Sequence, residues 1–200
     1  MKHAIILAHP NPQSFNAAVA RVYAETVRSF GDEADIRDLY QMGFDPRLRA
    51  DELPWAKGAQ PRADVVAERE RLADARAFVF VYPLWFNAPP AILKGYLDRV
   101  FGPGFAYGRA SGGTEPLLHG RLLLSITTSG APDQWVDQTG AVNILRHAFD
   151  DHIAEVCGFS VVDHVHLGGV TPGIRADVIE GLLDQVRQVA RRCFAPVSVQ

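Results

Sequence analysis

The sequence predicts an α/β fold, a parallel sheet of five strands in the order 2-1-3-4-5 with helices on both faces. Three observations predict it. Short, unbroken apolar runs recur along the 200 residues, as strands buried on both faces require. Between them lie stretches whose apolar residues return every three or four positions, the pattern of amphipathic helices. The two kinds alternate as β-α-β-α, which calls for a parallel sheet covered by helices. The length suits one domain over residues 1–200.

Each element can be placed in turn. Residues 3–8 (HAIILA) form a continuous apolar run and are read as a buried strand. Residues 14–30 set Phe15, Ala18, Val19, Val22, Tyr23, Val27 and Phe30 at helical spacing, with Ser14 as N-cap. Residues 33–39 alternate like a more exposed edge strand, and residues 40–60 carry Gly and Pro without a period, as a long loop does. A charged helix follows over 62–75, then a second buried strand over 77–82 (AFVFVY), closed by Pro83. Residues 90–101 gather Ile92, Leu93, Tyr96, Leu97, Val100 and Phe101 on one helical face, with Pro90 suited to the first turn. A Gly-rich loop is predicted over 102–120 and a third buried strand over 121–127 (RLLLSIT). A helix over 139–156, a strand over 159–166 and a helix over 174–193 complete the chain, and the last residues (FAPVSVQ) read as a loose tail. Five strands and five helices fit a flavodoxin-like three-layer sandwich better than the six-stranded dinucleotide fold. Such sheets bind ligands beyond the carboxyl ends of their strands, near the topological switch point.

Composition narrows the function. With 48% hydrophobic and 22% charged residues the chain can bury a full core. A net charge of -3 without basic blocks argues against nucleic acid as a partner. Cys157 and Cys193 have neither metal-ligand nor disulfide-framework spacing and are read as inert core thiols. The short apolar start lacks a cleavage site and no run is long enough to span a bilayer, so a cytoplasmic protein without membrane insertion is expected.

Chemistry should then gather after residues 8, 82 and 127. The three unusual loops stand there: "HPNPQSFN", "PLWFNAPPAILKG" and "TTSG". The first runs straight into a helix, whose N-terminal N–H groups and positive dipole end suit a phosphate. Ser14, Asn16 and His9 add donors. The second offers Trp85, Phe86 and Asn87 between Pro83 and Pro89, which suits a flat aromatic ligand. The third, Thr127-Thr128-Ser129-Gly130, offers hydroxyls and N–H groups able to stabilise negative charge. No G-x-G-x-x-G and no P-loop is present. His164 and His166 alternate on one strand and point the same way, without a third metal ligand nearby, so no metal site is expected.

Taken together, "AHPNPQSFN", "PLWFNAPPAILKGYLDRVF", "GFAYG", "LLLSITTSG" and "EVCGFSVVDH" resemble the NAD(P)H:quinone oxidoreductase family of flavodoxin-like proteins, the DT-diaphorase type. The resemblance implies a bound flavin, FAD in preference to FMN, reduced by NADH or NADPH and reoxidised by a quinone in ping-pong hydride transfer. By the same resemblance, His9, Ser14, Phe15 and Asn16 hold the phosphates and nearby parts of the flavin tail. Pro83, Leu84, Trp85, Phe86 and Asn87 lie along the ring, and Thr127, Thr128, Ser129 and Gly130 at its pyrimidine end. Tyr107 matches a residue that lines the substrate pocket. Trp135 stands near the position of a family Tyr proposed to relay charge, and the His that accompanies that Tyr has no counterpart before His147. The family relay therefore does not carry over, because Trp does not readily exchange its proton. His152 falls in the apolar phase of its helix and is read as packed or at a dimer interface. The resemblance also implies a homodimer, with the 102–120 and 131–139 loops meeting the partner. Two alternatives stand beside this reading: an FMN-dependent azoreductase-like enzyme, and a flavin-binding ancillary subunit that regulates a potassium-efflux transporter.

Overall fold

A computed structural model describes residues 1–53 and 55–196, so the last four residues of the expected loose tail lie outside the described residues. The elements in chain order are β1 (Lys2–Leu7), α1 (Phe15–Arg28), β2 (Glu33–Asp38), α2 (Ala63–Leu72), β3 (Ala77–Pro83) and α3 (Ala91–Val100). They continue with β4 (Tyr107–Ala110), β5 (Gly113–Pro116), β6 (Arg121–Thr128), α4 (Asp133–Thr139), α5 (Ala141–Leu145) and a π-helical turn (Arg146–Asp151). The chain closes with α6 (His152–Cys157), β7 (Phe159–Leu167) and α7 (Ala176–Phe194).

The main sheet is parallel throughout, in the order β2-β1-β3-β6-β7. Numbered within that sheet, this is the expected 2-1-3-4-5. Strand residues alternate between two core layers, as a period of two demands. Ile5, Leu7, Val79, Val81, Leu124 and Ile126 pack under α1 and α7. Ile6, Phe78, Phe80, Tyr82 and Leu123 pack on the opposite face with Leu93, Tyr96, Val100 and Phe149. Cys157 is buried and burial pushes its thiol up to about 12, which fits an inert core cysteine. Cys193 is half-buried, and its thiol is raised by the same cause.

Two expectations are corrected. The 102–120 segment is not all loop, because β4 and β5 pair antiparallel within it, Tyr107 opposite Pro116 and Ala110 opposite Gly113. Four-residue strands without a buried face leave no alternation to read, and Gly112, at φ +93°, makes the turn. The helix expected over 139–156 begins six residues earlier, at Asp133, so most of the expected 131–139 loop is α4. It is interrupted at Gly140, at φ +63°, and again by the π-helical turn. A π turn inserts one residue and rotates all that follow. His152, in phase with the apolar face by uninterrupted helical counting, is therefore exposed. The same turn sends Phe149 and Asp150 inward together.

Candidate active site

The carboxyl ends of β1, β3 and β6 carry the three loops, and specific contacts tie them into one rim. Asn16 donates through Nδ2 to Thr128 Oγ1 at 2.9 Å, which joins the first loop to the third. Leu84 N donates to Thr128 O at 2.7 Å, which joins the second to the third. The His9 and Trp85 rings lie 6.0 Å apart, which brings the first loop to the second.

Each loop prepares a different kind of contact. In the first, Ser14 Oγ accepts from Ala17 N at 3.1 Å and caps α1. The first turn of α1 contains no acidic residue, so no carboxylate of its own occupies the positive end of the helix. His9 Nδ1 lies 3.1 Å from Asn11 N and 3.3 Å from Asn11 O, which holds the ring against the loop backbone. Burial holds the pKa of His9 below its ordinary value, only partly offset by the backbone at Asn11 and by Asp38. The loop thus sets an imidazole beside a helix N-terminus. Phe15 packs partly against the α1–α7 layer.

The second loop holds the largest departure from ordinary backbone. Trp85 and Ala88 exchange both main-chain hydrogen bonds around Phe86 and Asn87, whose φ angles are +53° and +55°. Two left-handed residues inside such a closure make a turn of the I′ type. Asn accepts that conformation, but a bulky residue such as Phe does so only under strain. The turn also leaves the Phe86 side chain fully exposed at 105% and Trp85 at 44%. Strain spent on presenting two aromatic rings to solvent is the mark of a surface built to be covered.

In the third loop Thr127 and Thr128 are buried, Ser129 is half-buried and Gly130 is exposed. Ser129 N donates to Leu167 O at 3.1 Å, which ties the loop to the end of β7. Thr127 turns its hydroxyl away from the rim, into a polar chain that the sequence reading missed. Between Leu123 and Leu124 the register of β7 slips, so that Val161 and then Asp163 are their partners and Val162 bulges out. The bulge places His164 opposite Ser125 and His166 opposite Thr127. Ser125 Oγ donates to Asp150 Oδ1 at 2.7 Å, and Asp150 Oδ2 meets His164 Nδ1 at 2.5 Å. His164 Nε2 lies 3.0 Å from Thr127 Oγ1, which lies 2.9 Å from His166 Nδ1. His166 Nε2 in turn lies 2.9 Å from Ser129 Oγ. The available signal was the pair Ser125 and Thr127, polar on the inward face of an otherwise apolar strand.

Not every expected site residue joins the rim. Tyr107 lines a cavity of about 540 Å³ with Lys94, Arg69, Phe101, Phe149 and Cys157, and among the described residues none of those expected to hold the flavin lines it. Trp135 is exposed on α4, the residue 45% accessible.

The residues fit a flavin. A strained pair of exposed aromatics suits a flat ring, an acid-free helix N-terminus with the His9 imidazole suits a phosphate, and the hydroxyl loop suits a ring end that takes negative charge.

The comparisons with known proteins agree with this fold. A family model described as flavodoxin-like fold matches residues 1–190. A relative in Haemophilus influenzae named "Uncharacterized NAD(P)H oxidoreductase" is 34% identical over 171 residues, 85% of each chain. "NAD(P)H dehydrogenase [quinone] 1" of Rattus norvegicus is 31% identical over 221 aligned positions, covering 98% of this chain and 81% of that one. Among solved structures, the NAD(P)H:quinone oxidoreductase of Methanothermobacter marburgensis superposes with a TM-score of 0.84 at 28% identity, covering 96% of both chains. With its strand order, its single rim and these relatives, the chain belongs to the flavodoxin-like NAD(P)H:quinone oxidoreductase family.

Proposed function

We propose that this chain is a flavin-dependent NAD(P)H dehydrogenase that reduces quinones by two-electron, ping-pong hydride transfer. The observation that carries the reading is the strained Phe86–Asn87 turn, set on the same rim as the α1 N-terminus and the Thr127–Gly130 loop. FAD is the proposed cofactor, with FMN the alternative, and the donor is NADH or NADPH. His9 and Ser14, with the N–H groups at Phe15 and Asn16, would hold the phosphates. Pro83, Leu84, Trp85, Phe86 and Asn87 would flank the ring, and Thr128, Ser129 and Gly130 would face its pyrimidine end, with Thr127 behind them because its hydroxyl is turned to His164 and His166. Bound there, the flavin supplies hydride acceptance and donation, while the protein places the ring and stabilises its charge. Asn16, committed to Thr128, acts as the strut that keeps two of these loops in register.

Tyr107 argues for a second copy. Within its own chain it lines a cavity that none of the expected flavin-site residues lines, so it would reach the substrate pocket from a partner. A homodimer with each Tyr107 facing the other chain's ring satisfies that requirement and covers the exposed Phe86.

The test is the visible spectrum of the purified protein, with the released pigment identified by mass, followed by anaerobic addition of NADH or NADPH. The expected result is bound FAD, bleached by a nicotinamide and recoloured by a quinone. Released FMN would replace the cofactor and leave the reductase reading in place. A colourless protein that takes up neither flavin would overturn it.

A further inference from the structure

The polar chain behind the third rim loop has a chemical sense beyond packing. From the Asp150 carboxylate, which accepts, its members alternate between imidazoles and hydroxyls, and each of those can both donate and accept. Two complete arrangements of protons satisfy the observed distances. In one, Ser129 donates to His166 Nε2, His166 Nδ1 to Thr127, Thr127 to His164 Nε2 and His164 Nδ1 to Asp150. In the other every link is reversed except the last. His164 then carries a proton on both nitrogens, and Ser129 is free to donate away from the chain, toward the rim or toward Ala131 O at 3.4 Å. The second arrangement holds one more proton than the first.

We propose that Asp150, His164, Thr127, His166 and Ser129 form a proton relay that delivers one proton to the rim ligand through Ser129 Oγ. The proposal rests on the quinone reductase reading above. The balance of that reaction requires such a source. A nicotinamide brings a hydride, and a quinone becomes a hydroquinone only with that hydride and one further proton. In delivery, Ser129 gives its outward proton to the ligand and takes one from His166 Nε2. His166 Nδ1 takes one from Thr127, and Thr127 takes one from His164 Nε2. The chain is left in the first arrangement, with His164 singly protonated and still bonded to Asp150.

The surroundings suit the task. Asp150, Ser125 and Thr127 are fully buried and His164 nearly so, so the inner end is shielded from solvent. A cavity of about 640 Å³, lined by Asn143, Arg146, His164 and His166, opens beside the half-buried His166, through which the proton can be restored, while the His164 ring itself stays fully buried. The charged and titratable groups around the pair come from three elements. Arg146 faces the cavity from the π-helical turn. From β3, Tyr82 brings a buried hydroxyl that burial, then the nearby Asp150, keep protonated well above its usual range. From β7, Asp163 accepts from His164 N at 2.8 Å and pairs with Arg192. His166 is thus a positioning and proton-carrying residue on a strand that the three rim loops do not include.

Thr127→Val and His166→Gln test it, with Thr127→Ser as the conservative variant. Nitrogen-15 NMR of the histidine rings in the full chain, without and with flavin, reads the coupling directly. The expected result is that His164 and His166 titrate together in the parent chain and separately in Thr127→Val. With flavin content matched, quinone turnover should fall about tenfold to a hundredfold in Thr127→Val and His166→Gln, and Thr127→Ser should restore it. In the parent chain turnover should decline as rising pH removes the extra proton, and that alkaline limb and its solvent isotope effect should vanish in Thr127→Val. Independent titration of the two histidines in the parent chain would overturn the relay. So would a Thr127→Val variant that keeps the parent turnover, pH profile and isotope effect, or one that loses turnover with the pH profile and isotope effect unchanged. Failure to bind flavin would strike the reductase reading instead, and the ring titrations would still decide the relay.

Discussion

At the scale of single residues, His3 shows how burial turns one side chain into a pH sensor for the whole fold. Its ring is fully buried in β1, with Nδ1 at 2.9 Å from Tyr23 Oη and Nε2 at 3.1 Å from Asp32 Oδ2. Desolvation outweighs the attraction of Asp32 and lowers its pKa below the usual 6.5. The folded state therefore binds fewer protons than the unfolded chain once pH falls below 6.5. The stabilisation is complete above 6.5 and is lost as pH drops toward the folded value, at up to about 1.4 kcal/mol per pH unit. His9, lowered in the same direction, adds a share of the same sign. Asp32, whose pKa is lowered by the N-terminal amine and His3, acts in a separate window, below 3.8. His3→Gln can keep both hydrogen bonds and removes the titration. Urea unfolding at pH 7.5, 6.5 and 5.5 should show stability falling with acidity in the parent chain and a flatter trend in the variant. Equal slopes in the two proteins would rule out the assignment.

At the scale of elements, the long 40–60 segment keeps its place because α3 grips it. Arg99 Nη1 donates to Asp45 O at 2.7 Å, and the guanidinium pairs with Glu52 at 2.8 Å and Asp64 at 2.7 Å. One turn earlier, Gly95 lets the loop touch the helix backbone, for an added Cβ would stand 2.1 Å from Pro46 O. Gly181, in α7, meets nothing within 4 Å. The same substitution should therefore have opposite signs in the two helices. Gly95→Ala is expected to destabilise by about 3 kcal/mol through overpacking against main chain. Gly181→Ala is expected to stabilise by about 0.5–1 kcal/mol, because an exposed helix position gains propensity without a clash. Denaturant midpoints of both variants check this, and a tolerated Gly95→Ala would mean that the loop is not held where α3 places it.

At the scale of the whole molecule, the carboxyl ends of the three central strands are proposed to carry the site, and a second copy is expected to complete it. Sedimentation should show a dimer with flavin bound. Tyr107→Ala should raise KM for the quinone several-fold with flavin content unchanged, since Tyr107 stands apart from the rim of its own chain. A monomer with full activity would remove the partner from the account.

The sequence by itself determined the strand order, the two-sided core and the position of the rim. Those follow from local signals, namely the apolar runs of β1, β3 and β6, the helical spacing of α1 and α3, and Pro, Gly and aromatic residues where strands stop. The exposed Trp85 and Phe86 were legible for the same reason. Only the tertiary structure decided that Asn16 is a strut, that Phe86 and Asn87 share a left-handed turn, and that Tyr107 lies off the rim. It also decided the bulge at Val162, which swaps the faces of β7 and sets His164 and His166 against Ser125 and Thr127. A strand's period fixes which residues alternate, but the register of its pairing with a neighbour fixes which way they face. That register, like the π turn that delivers Asp150 to His164, is settled by contacts between segments far apart in the chain, and no local pattern encodes it.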